Sequence, residues 1–476
     1  MRNQQPGHNQ TVRLVRQLTL FDAVMLVVGG TIGASIFIVP ANVLQAVPNP
    51  LFALSLWVVA GCVTLMAGLA CAELTGMFPE AGGQYVFIRE AYGPFAAFLY
   101  GWMLFTAGNS GGLAAMAVSF ALFLGRAFPA VAADQVVFAN TAFSVQWKLT
   151  QGSLSAIAAV VILTAVNIRS VRLAARLQNL VAVAFLSVVI GISAAGFLFG
   201  HGSWSHFIPA PGSGFQGITL QGIGVAMIAL FWCFDGWEFV SWAAGEIENP
   251  DRNLPRALMI GIGLIIVADL VANTLYLYAF APSQLAQQTT LASAAMSALF
   301  SQSVSRLVSF FVALICFGAG SVAVLGGARI YYSMARDNAF FQSMRHIHPQ
   351  WRTPTTSLLA QCAWVLVLIV SGRYEQLYTC FIFMMTLSYL ATVGAVFVLR
   401  RTQPDRPRPY LCAGYPWLPL AYLVIASVFV VSTLLARPVE SLAGLGLALP
   451  GIPLYRFWRR RQSSTPKSQP FTPPGV

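Results

Sequence analysis

Long apolar stretches separated by short polar ones run through almost the whole chain. The first begins at Phe21 and the last ends near residue 458. Most are at least as long as the ~20 residues that an α-helix needs to cross the hydrocarbon core of a bilayer. The pattern therefore predicts an all-α integral membrane protein with about twelve transmembrane helices. The predicted spans are residues 21–47, 50–77, 94–125, 152–168, 176–199, 218–245, 255–281, 304–336, 355–371, 375–400, 414–436 and 438–458.

The order of these spans indicates two similar halves. The third span of each half is unusually long, and the pattern begins again at the sixth span. Helices eleven and twelve then fall outside the repeat. The predicted organisation is a polar arm at 1–20, a core at 21–400 made of two repeats (21–199 and 218–400), two further helices at 401–458 and a disordered tail at 459–476.

The first span contains Gly29, Gly30 and Gly33, which disfavour a continuous helix. A glycine in a helix interior costs about 1 kcal/mol relative to alanine. A broken helix is tolerated in hydrocarbon only where the break lines a protein cavity, because unpaired peptide groups are costly there. Two interpretations explain the glycines equally well: a small-residue contact between helices, or a break whose free N–H groups hold an anionic group.

The sixth span contains a second interruption, Phe234-Asp235-Gly236-Trp237-Glu238. Interrupted segments at matching positions of two halves are the best sequence indication of a transporter binding site. The pair therefore favours the break interpretation, and it predicts a five-plus-five inverted repeat in which helices one and six are broken.

Charge is sparse and unevenly placed. Only 9% of the residues are charged, against about 25% in soluble domains, and the net charge is +12. If the N-terminus is cytoplasmic, all but five of the 27 Lys and Arg residues fall on cytoplasmic segments or helix ends. This positive-inside pattern predicts a multi-pass protein of the cell membrane with both termini in the cytoplasm, and it argues against a nucleic-acid partner. The basic residues expected to face anionic lipid of the bilayer are Arg400, Arg401, Arg406, Arg408 and residues 459–461.

Cysteine and histidine usage excludes several classes of function. None of the seven cysteines falls in a predicted external loop, so we expect no disulfide-linked heavy chain. No metal-ligand spacing, nucleophile–base pair or phosphate loop occurs. We therefore predict no metal, no cofactor and no enzymatic activity.

With these segments in order, the chain resembles the amino acid–polyamine–organocation superfamily of permeases, nearest its L-type amino acid transporter branch. The resemblance covers helices one to ten. It implies a five-plus-five inverted repeat with a zwitterionic substrate held between broken helices one and six. The motifs that carry it are Gly30-Thr31-Ile32-Gly33-Ala34-Ser35-Ile36-Phe37, Ala72-Glu73-Leu74, Phe78-Pro79-Glu80-Ala81-Gly82-Gly83-Gln84-Tyr85, Phe234-Asp235-Gly236-Trp237, and the run from Gly245 to Ala257.

A zwitterion at the middle of the membrane loses hydration worth several kcal/mol per charge, so several peptide groups must converge on each end of it. N–H groups near Gly33 to Ile36 suit the carboxylate, and carbonyls near Ile32 and at Trp232 to Phe234 suit the ammonium group. Ser35 replaces the usual third glycine of the family motif; its side chain either adds a donor or crowds the site. The predicted substrate-binding residues are Ile32, Gly33, Ala34, Ser35, Ile36, Trp232, Cys233, Phe234, Asp235 and Gly236.

Three of the candidate residues admit two roles each. Trp232 aligns with the aromatic residue that caps the substrate in the family, but it could also be an ordinary core or lipid-facing tryptophan. Asp235 either pairs with the substrate amine or caps the second half of helix six, the role that we favour. Glu246 resembles the cytoplasmic gate carboxylate of the family; alternatively it is a solvated charge at a helix end.

Two further positions bear on coupling. Many sodium-independent relatives carry a lysine in helix five where this chain has Phe185. Asp269, in contrast, lies within the predicted hydrocarbon core, where an ionised aspartate costs about 2.5–3.5 kcal/mol. Asn273 lies four residues further on the same helix face and could hydrogen-bond it. A structural Asp–Asn contact and a proton-coupling site are equally compatible with this pair.

The function predicted from these features is secondary transport of neutral L-amino acids, as a permease or exchanger, by alternating access around a midplane site. A polyamine or cationic amino acid permease is the alternative left open by Asp235, although few acids are expected to face the site. A receptor that binds amino acids without carrying them is a further alternative, disfavoured because no soluble signalling domain is present.

Overall fold

The computed structural model describes residues 16–33, 35–131, 134–142, 145–208, 218–288, 290–370, 374–436 and 438–463, and it is a bundle of helices. Two antiparallel strands, β1 (Val136–Ala142) and β2 (Val145–Thr150), form a hairpin at one end. The helices are α1 Leu20–Thr31, α2 Val39–Ala46, α3 Pro50–Met77, α4 Gln84–Tyr92, α5 Pro94–Thr106, α6 Gly108–Ala127, α7 Gln151–Arg169, α8 Val171–Phe199, α9 Leu220–Cys233, α10 Phe239–Trp242, α11 Pro250–Ala279, α12 Pro282–Leu285, α13 Leu291–Leu299, α14 Gln302–Arg336, α15 Thr355–Val370, α16 Tyr374–Thr402, α17 Trp417–Ala436, α18 Pro438–Ala448 and α19 Gly451–Ser463.

The predicted all-α membrane architecture is confirmed. Eight helical segments of the described residues are long and apolar enough to cross a membrane. Shorter apolar helices lie at three of the remaining spans, and two of these, Leu20–Thr31 and Leu220–Cys233, are the first halves of the interrupted helices one and six. The order of elements also repeats: a broken helix, a long helix, short helices, a second long element and two more helices. This is the order that a five-plus-five arrangement requires.

The first span is broken as predicted. Helix α1 starts with a capping box, in which Thr19 and Asp22 satisfy each other's main-chain N–H groups. It ends at Thr31, where Ile32 has extended backbone angles (φ −81°, ψ 110°). A single 3₁₀ turn at Ser35–Phe37 then leads into α2. The chain is therefore non-helical beside Gly33, in the middle of a span.

The sixth span is broken in the same manner. Helix α9 ends at Cys233, and Gly236 adopts φ +98°, a left-handed conformation that favours glycine. Only one short helix, α10, follows before the 3₁₀ turn at Ala244–Glu246. Helices α1 and α10 pack together, and α1 also packs against α8, α11 and α14, so that both breaks lie inside the bundle.

The structure departs from the predicted boundaries in three places. The third span, predicted as one helix, is interrupted at Ala107 (φ −130°, ψ −46°), where the poor helix formers of Gly108–Gly112 begin. The segment between the third and fourth predicted spans, for which no element was predicted, contains the β1–β2 hairpin. The twelfth span is divided into α18 and α19, and α19 continues to Ser463, beyond the predicted start of the tail.

We call the end of the bundle that carries Leu18 and α19 the terminal face. Its basic residues were expected to face lipid, but several bind within the protein. Arg400 donates two hydrogen bonds to the buried carboxylate of Glu73, at 2.9 and 2.6 Å, and Arg408 lies 3.4 Å from the same group. Arg406 lies over the ring of Phe78. The expectation of lipid contact is therefore wrong for these three arginines, which instead dock the end of α16 and the segment after it onto the end of α3.

Candidate functional site

The two breaks meet at a central cavity. Helices α6, α14 and α16 supply its remaining walls. Four buried polar atoms of its lining have no hydrogen-bond partner within the described structure: Thr31 Oγ1, Asn109 Oδ1, Glu238 Oε1 and Trp242 Nε1. Because buried polar groups are normally paired, these atoms indicate a polar ligand. The lining residues from the breaks are Gly30, Thr31, Gly33, Ser35, Trp232, Asp235 and Glu238.

The glycines of the first span separate into two kinds. A β-carbon at Gly29 would collide with the amide of Gln178 on α8, and one at Gly30 would lie 2.7 Å from the main-chain oxygen of Gly236. A β-carbon at Gly33, however, would meet no atom within 4 Å. Gly29 and Gly30 thus allow close packing of the chain, whereas Gly33 borders open space. The contact interpretation therefore holds for Gly29 and Gly30, and the break lies beside Gly33, where anion binding remains a prediction.

The structure brings about half of the predicted substrate-binding residues to the cavity. Gly33, Ser35, Trp232 and Asp235 line it. In the described part of the chain, the main-chain N–H groups of Gly33 and Ser35 donate to no acceptor, as expected of groups that bind an anion. The predicted residues that are buried beside the cavity without lining it are Ile32, Ile36, Cys233, Phe234 and Gly236. Ala34 lies outside the described residues.

Asp235 does not cap the second half of helix six, so that prediction is wrong. Its Oδ1 accepts a hydrogen bond of 2.6 Å from the hydroxyl of Tyr389 on α16. The main-chain N–H of Gly236 donates to Oε2 of Glu238 instead, at 3.1 Å. Glu238 is fully buried and lines the cavity, although it was not among the predicted site residues. Its position three residues after Asp235, within the same interruption, was the available signal.

Trp232 contributes to two cavities. Besides the central cavity, it lines a smaller one beside Asp235, where Thr64, Tyr389 and Tyr422 are neighbours. It is half-buried and lies one residue before the end of α9. The lipid-facing interpretation is therefore wrong, because Trp232 lines two internal spaces. A role as gate remains a prediction.

Glu246 is not a solvated charge. It is 1% exposed and forms a two-pronged ion pair with the fully buried Arg329 of α14, at 2.7 and 3.2 Å. The main-chain oxygen of Glu246 also accepts hydrogen bonds from the N–H groups of Gln17 and Leu18, both 2.9 Å. The end of the sixth span is thus bonded to α14, the eighth span, and to Gln17 and Leu18 at the terminal face.

The position of the helix-five lysine is occupied by an aromatic cluster. Phe185 is 1% exposed, and its ring packs edge-on against Phe37 at 6.3 Å between centroids. Phe37 makes a similar contact with Phe123. Apolar rings therefore fill the space beside the first break, and no cluster of metal-ligating residues occurs among the residues that the structure describes.

Asp269 and Asn273 are buried in α11, but their contact differs from the prediction. The amide of Asn273 donates to the main-chain oxygen of Asp269, at 2.8 Å, rather than to its carboxylate. The carboxylate oxygen Oδ2 has no hydrogen-bond partner in the described structure. The expected hydrogen bond between the two side chains is therefore wrong. A proton-coupling role for the carboxylate remains a prediction.

An all-α membrane bundle in which two interrupted helices meet at a polar cavity has the architecture of a secondary transporter. A family model described as amino acid permease matches residues 18–444. The chain therefore belongs to the amino acid permease family, whose members are transporters and not enzymes.

Similar proteins are amino acid transporters and exchangers from bacteria and mammals. The serine/threonine exchanger SteT of Bacillus subtilis is 27% identical over 96% of this chain and 100% of its own length. The large neutral amino acids transporter small subunit 2 of Homo sapiens is 29% identical, over 94% of this chain and 82% of its own. The b(0,+)-type amino acid transporter 1 of Mus musculus is 27% identical, over 90% and 85% respectively.

Proposed function

We propose that this permease carries neutral L-amino acids, by exchange or net uptake, through alternating access to the central cavity. The observation that carries the proposal is the meeting of both helix breaks at one cavity: Gly30 and Gly236 are in contact, and Gly33 borders open space. The similarity to a serine/threonine exchanger and to a large neutral amino acids transporter supports the same substrate class.

The substrate carboxylate would bind at the first break. The N–H groups of Gly33 and Ser35 are available there, and hydrogen bonds to a charged group contribute about 1.5–3 kcal/mol each. Two or three such bonds offset the desolvation of one carboxylate, which costs several kcal/mol. The hydroxyl of Ser35 is a further donor. The ammonium group would bind carbonyls near Ile32 and Trp232, with Asp235 beside them.

Two gates would control access. Trp232, which lines both internal spaces, would cover the substrate. The ion pair of Glu246 and Arg329 closes the terminal face. To open this face, the end of the sixth span must move relative to α14, which carries Arg329. We therefore expect the ion pair to rearrange in each transport cycle.

We further propose that the protein lies in the cell membrane with both termini in the cytoplasm, as the distribution of Lys and Arg favours. The terminal face is then the cytoplasmic one. We also propose that no disulfide links the chain to a heavy chain. All cysteines except Cys412 lie in helices, and Cys412 lies between α16 and α17 on the terminal face.

Glu238 supports a second candidate, transport of cationic amino acids or polyamines. Two carboxylates, Asp235 and Glu238, line the cavity, where the sequence led us to expect few acids. Glu238 Oε1 is without a hydrogen-bond partner in the described structure, and an amine or guanidinium group could pair with it.

Uptake of labelled serine, leucine, arginine and putrescine into liposomes containing the purified protein tests these candidates. The proposal expects saturable uptake of serine or leucine when the liposomes hold unlabelled substrate. If arginine or putrescine is carried instead, and Glu238→Gln abolishes that uptake, the second candidate is correct. Saturable binding without uptake of any of the four would indicate a receptor and contradict both.

A further inference from the structure

Asp269 is an acidic residue deep within a membrane-spanning helix. It is 19 residues from the first residue of α11 and 10 from the last, or roughly 28 and 15 Å along the axis. Its side chain is only 2% exposed. An ionisable residue at such a depth is by default a candidate for function, because the bilayer interior penalises its charged form.

No described group compensates this charge. The ion pairs of the described residues do not include Asp269, and its Oδ2 accepts no hydrogen bond. The titratable groups that face it are the thiol of Cys233, at the end of α9, and the phenol of Tyr276, two turns along α11. Neither can carry a positive charge, and the hydroxyl of Tyr276 also has no partner in the described structure.

Asp269 adjoins the substrate site on one side. Cys233 ends α9 at the break of helix six, and its thiol lies against the side chain of Ser35, which lines the central cavity. Cys233 therefore interacts electrostatically with the carboxylate and also neighbours a residue of the site. Movement of either break during transport would change the surroundings of Asp269.

A second small cavity adjoins the other side. It lies between α2, α3 and α11, and Asn273, one turn beyond Asp269, contributes to its wall. Leu285 of α12, which follows the end of α11, also lines it. Asn273 is thus a polar side chain of this wall, one turn from Asp269 on the side away from the terminal face.

We propose that Asp269 binds one proton in each transport cycle and couples substrate movement to the proton gradient. The carboxylate takes the proton when the protein is open opposite to the terminal face, becomes a neutral carboxylic acid, and returns the proton on the terminal side. Protonation removes the buried negative charge of Asp269 while the protein changes from one open state to the other. This inference rests on the proposed function of the protein as an amino acid transporter.

The test uses purified full-length protein in liposomes that contain a trapped pH-sensitive dye, with a neutral amino acid that the wild type exchanges. An inward gradient of one pH unit should drive accumulation, up to about tenfold at a stoichiometry of one proton. The dye should report acidification that depends on substrate. Asp269→Asn should abolish both effects while keeping exchange within about twofold of wild type. The matched control is Asp251→Asn, an exposed acid in the first turn of the same helix, which should behave as wild type.

Gradient-driven accumulation that survives in Asp269→Asn would overturn the inference, as would wild-type exchange with no response to the gradient. If Asp269→Asn loses exchange as well, Asp269→Glu decides. The glutamate variant keeps a carboxylate, so it must retain gradient-driven uptake. If it exchanges substrate but shows no gradient-driven uptake, a proton-binding role is contradicted. Absence of both uptake and exchange of every amino acid by wild-type protein would instead contradict the proposed function itself.

Discussion

A β-carbon at Gly30 would lie 2.7 Å from the main-chain oxygen of Gly236, whereas one at Gly33 would meet no atom within 4 Å. The two glycines are three residues apart in one motif, yet different physical demands explain them. Gly30 lets the main chain of the first break approach that of the second, and a main-chain atom cannot move aside as the end of a flexible side chain could. Gly33 leaves its N–H group and the space in front of it open to the cavity.

Alanine at these two positions should therefore act differently on stability. Gly30→Ala overfills a main-chain contact, which costs about 1–3 kcal/mol, so it should lower the melting temperature of the purified protein. Gly33→Ala should leave the melting temperature close to that of wild type. Thermal unfolding in detergent checks this, and equal melting temperatures for both variants would contradict the assignment.

Ser35 lies at the point where the first break meets the cavity, with Cys233 beside it. In protein whose native cysteines have been replaced, Ser35→Cys should react with a small thiol reagent. Substrate at ten times its Kd leaves about one-eleventh of the sites free, so labelling should slow about tenfold. Labelling that is indifferent to every transported amino acid would place Ser35 outside the binding site.

At the scale of elements, the structure pairs segments that are distant in sequence. The buried pair of Glu246 and Arg329 joins residues 83 positions apart, and Glu73 and Arg400 are 327 positions apart. Local pattern cannot reveal such partners. This is why the sequence left Glu246 open between a gate and a solvated charge and wrongly assigned Arg400 to lipid.

Breaking the Glu246 ion pair should destabilise the protein strongly. Glu246→Gln leaves the guanidinium of Arg329 buried without a counter-charge, a change that costs about 3–5 kcal/mol. Adding Arg329→Met should recover part of this loss, because it removes the orphaned charge.

The matched control is the exposed neighbour, Glu248→Gln, which should change the free energy of unfolding by no more than about 0.5 kcal/mol. Thermal or denaturant unfolding of the purified variants provides the comparison. Equal effects of the two glutamine substitutions would show that the ion pair contributes nothing specific to the closed terminal face.

For the whole molecule, the sequence was sufficient for the architecture. Apolar length predicted the spans, and Gly33 together with Asp235-Gly236 located both breaks, because backbone-permissive residues rarely interrupt a span without a reason. The sequence could not show that Glu238 rather than Asp235 binds the N–H of Gly236, since both acids lie within reach of the break. Nor could it show which glycine packs and which borders the cavity, because that depends on the approach of another helix.

The central claim is that substrate binds between the two breaks, at the space bordered by Gly33. The most direct measurement is counterflow of a labelled neutral amino acid into liposomes loaded with the unlabelled compound. Wild type and Gly33→Val are compared with Gly191→Val, a substitution at an exposed glycine of α8 that also has open space around it.

The branched side chain of valine at Gly33 enters the cavity where the carboxylate approaches. We expect Gly33→Val, folded as judged by its melting temperature, to lose at least about tenfold in counterflow rate, equivalent to about 1.4 kcal/mol. Gly191→Val should retain the wild-type rate. Wild-type counterflow by Gly33→Val would contradict the account and reduce the first break to a feature of helix packing.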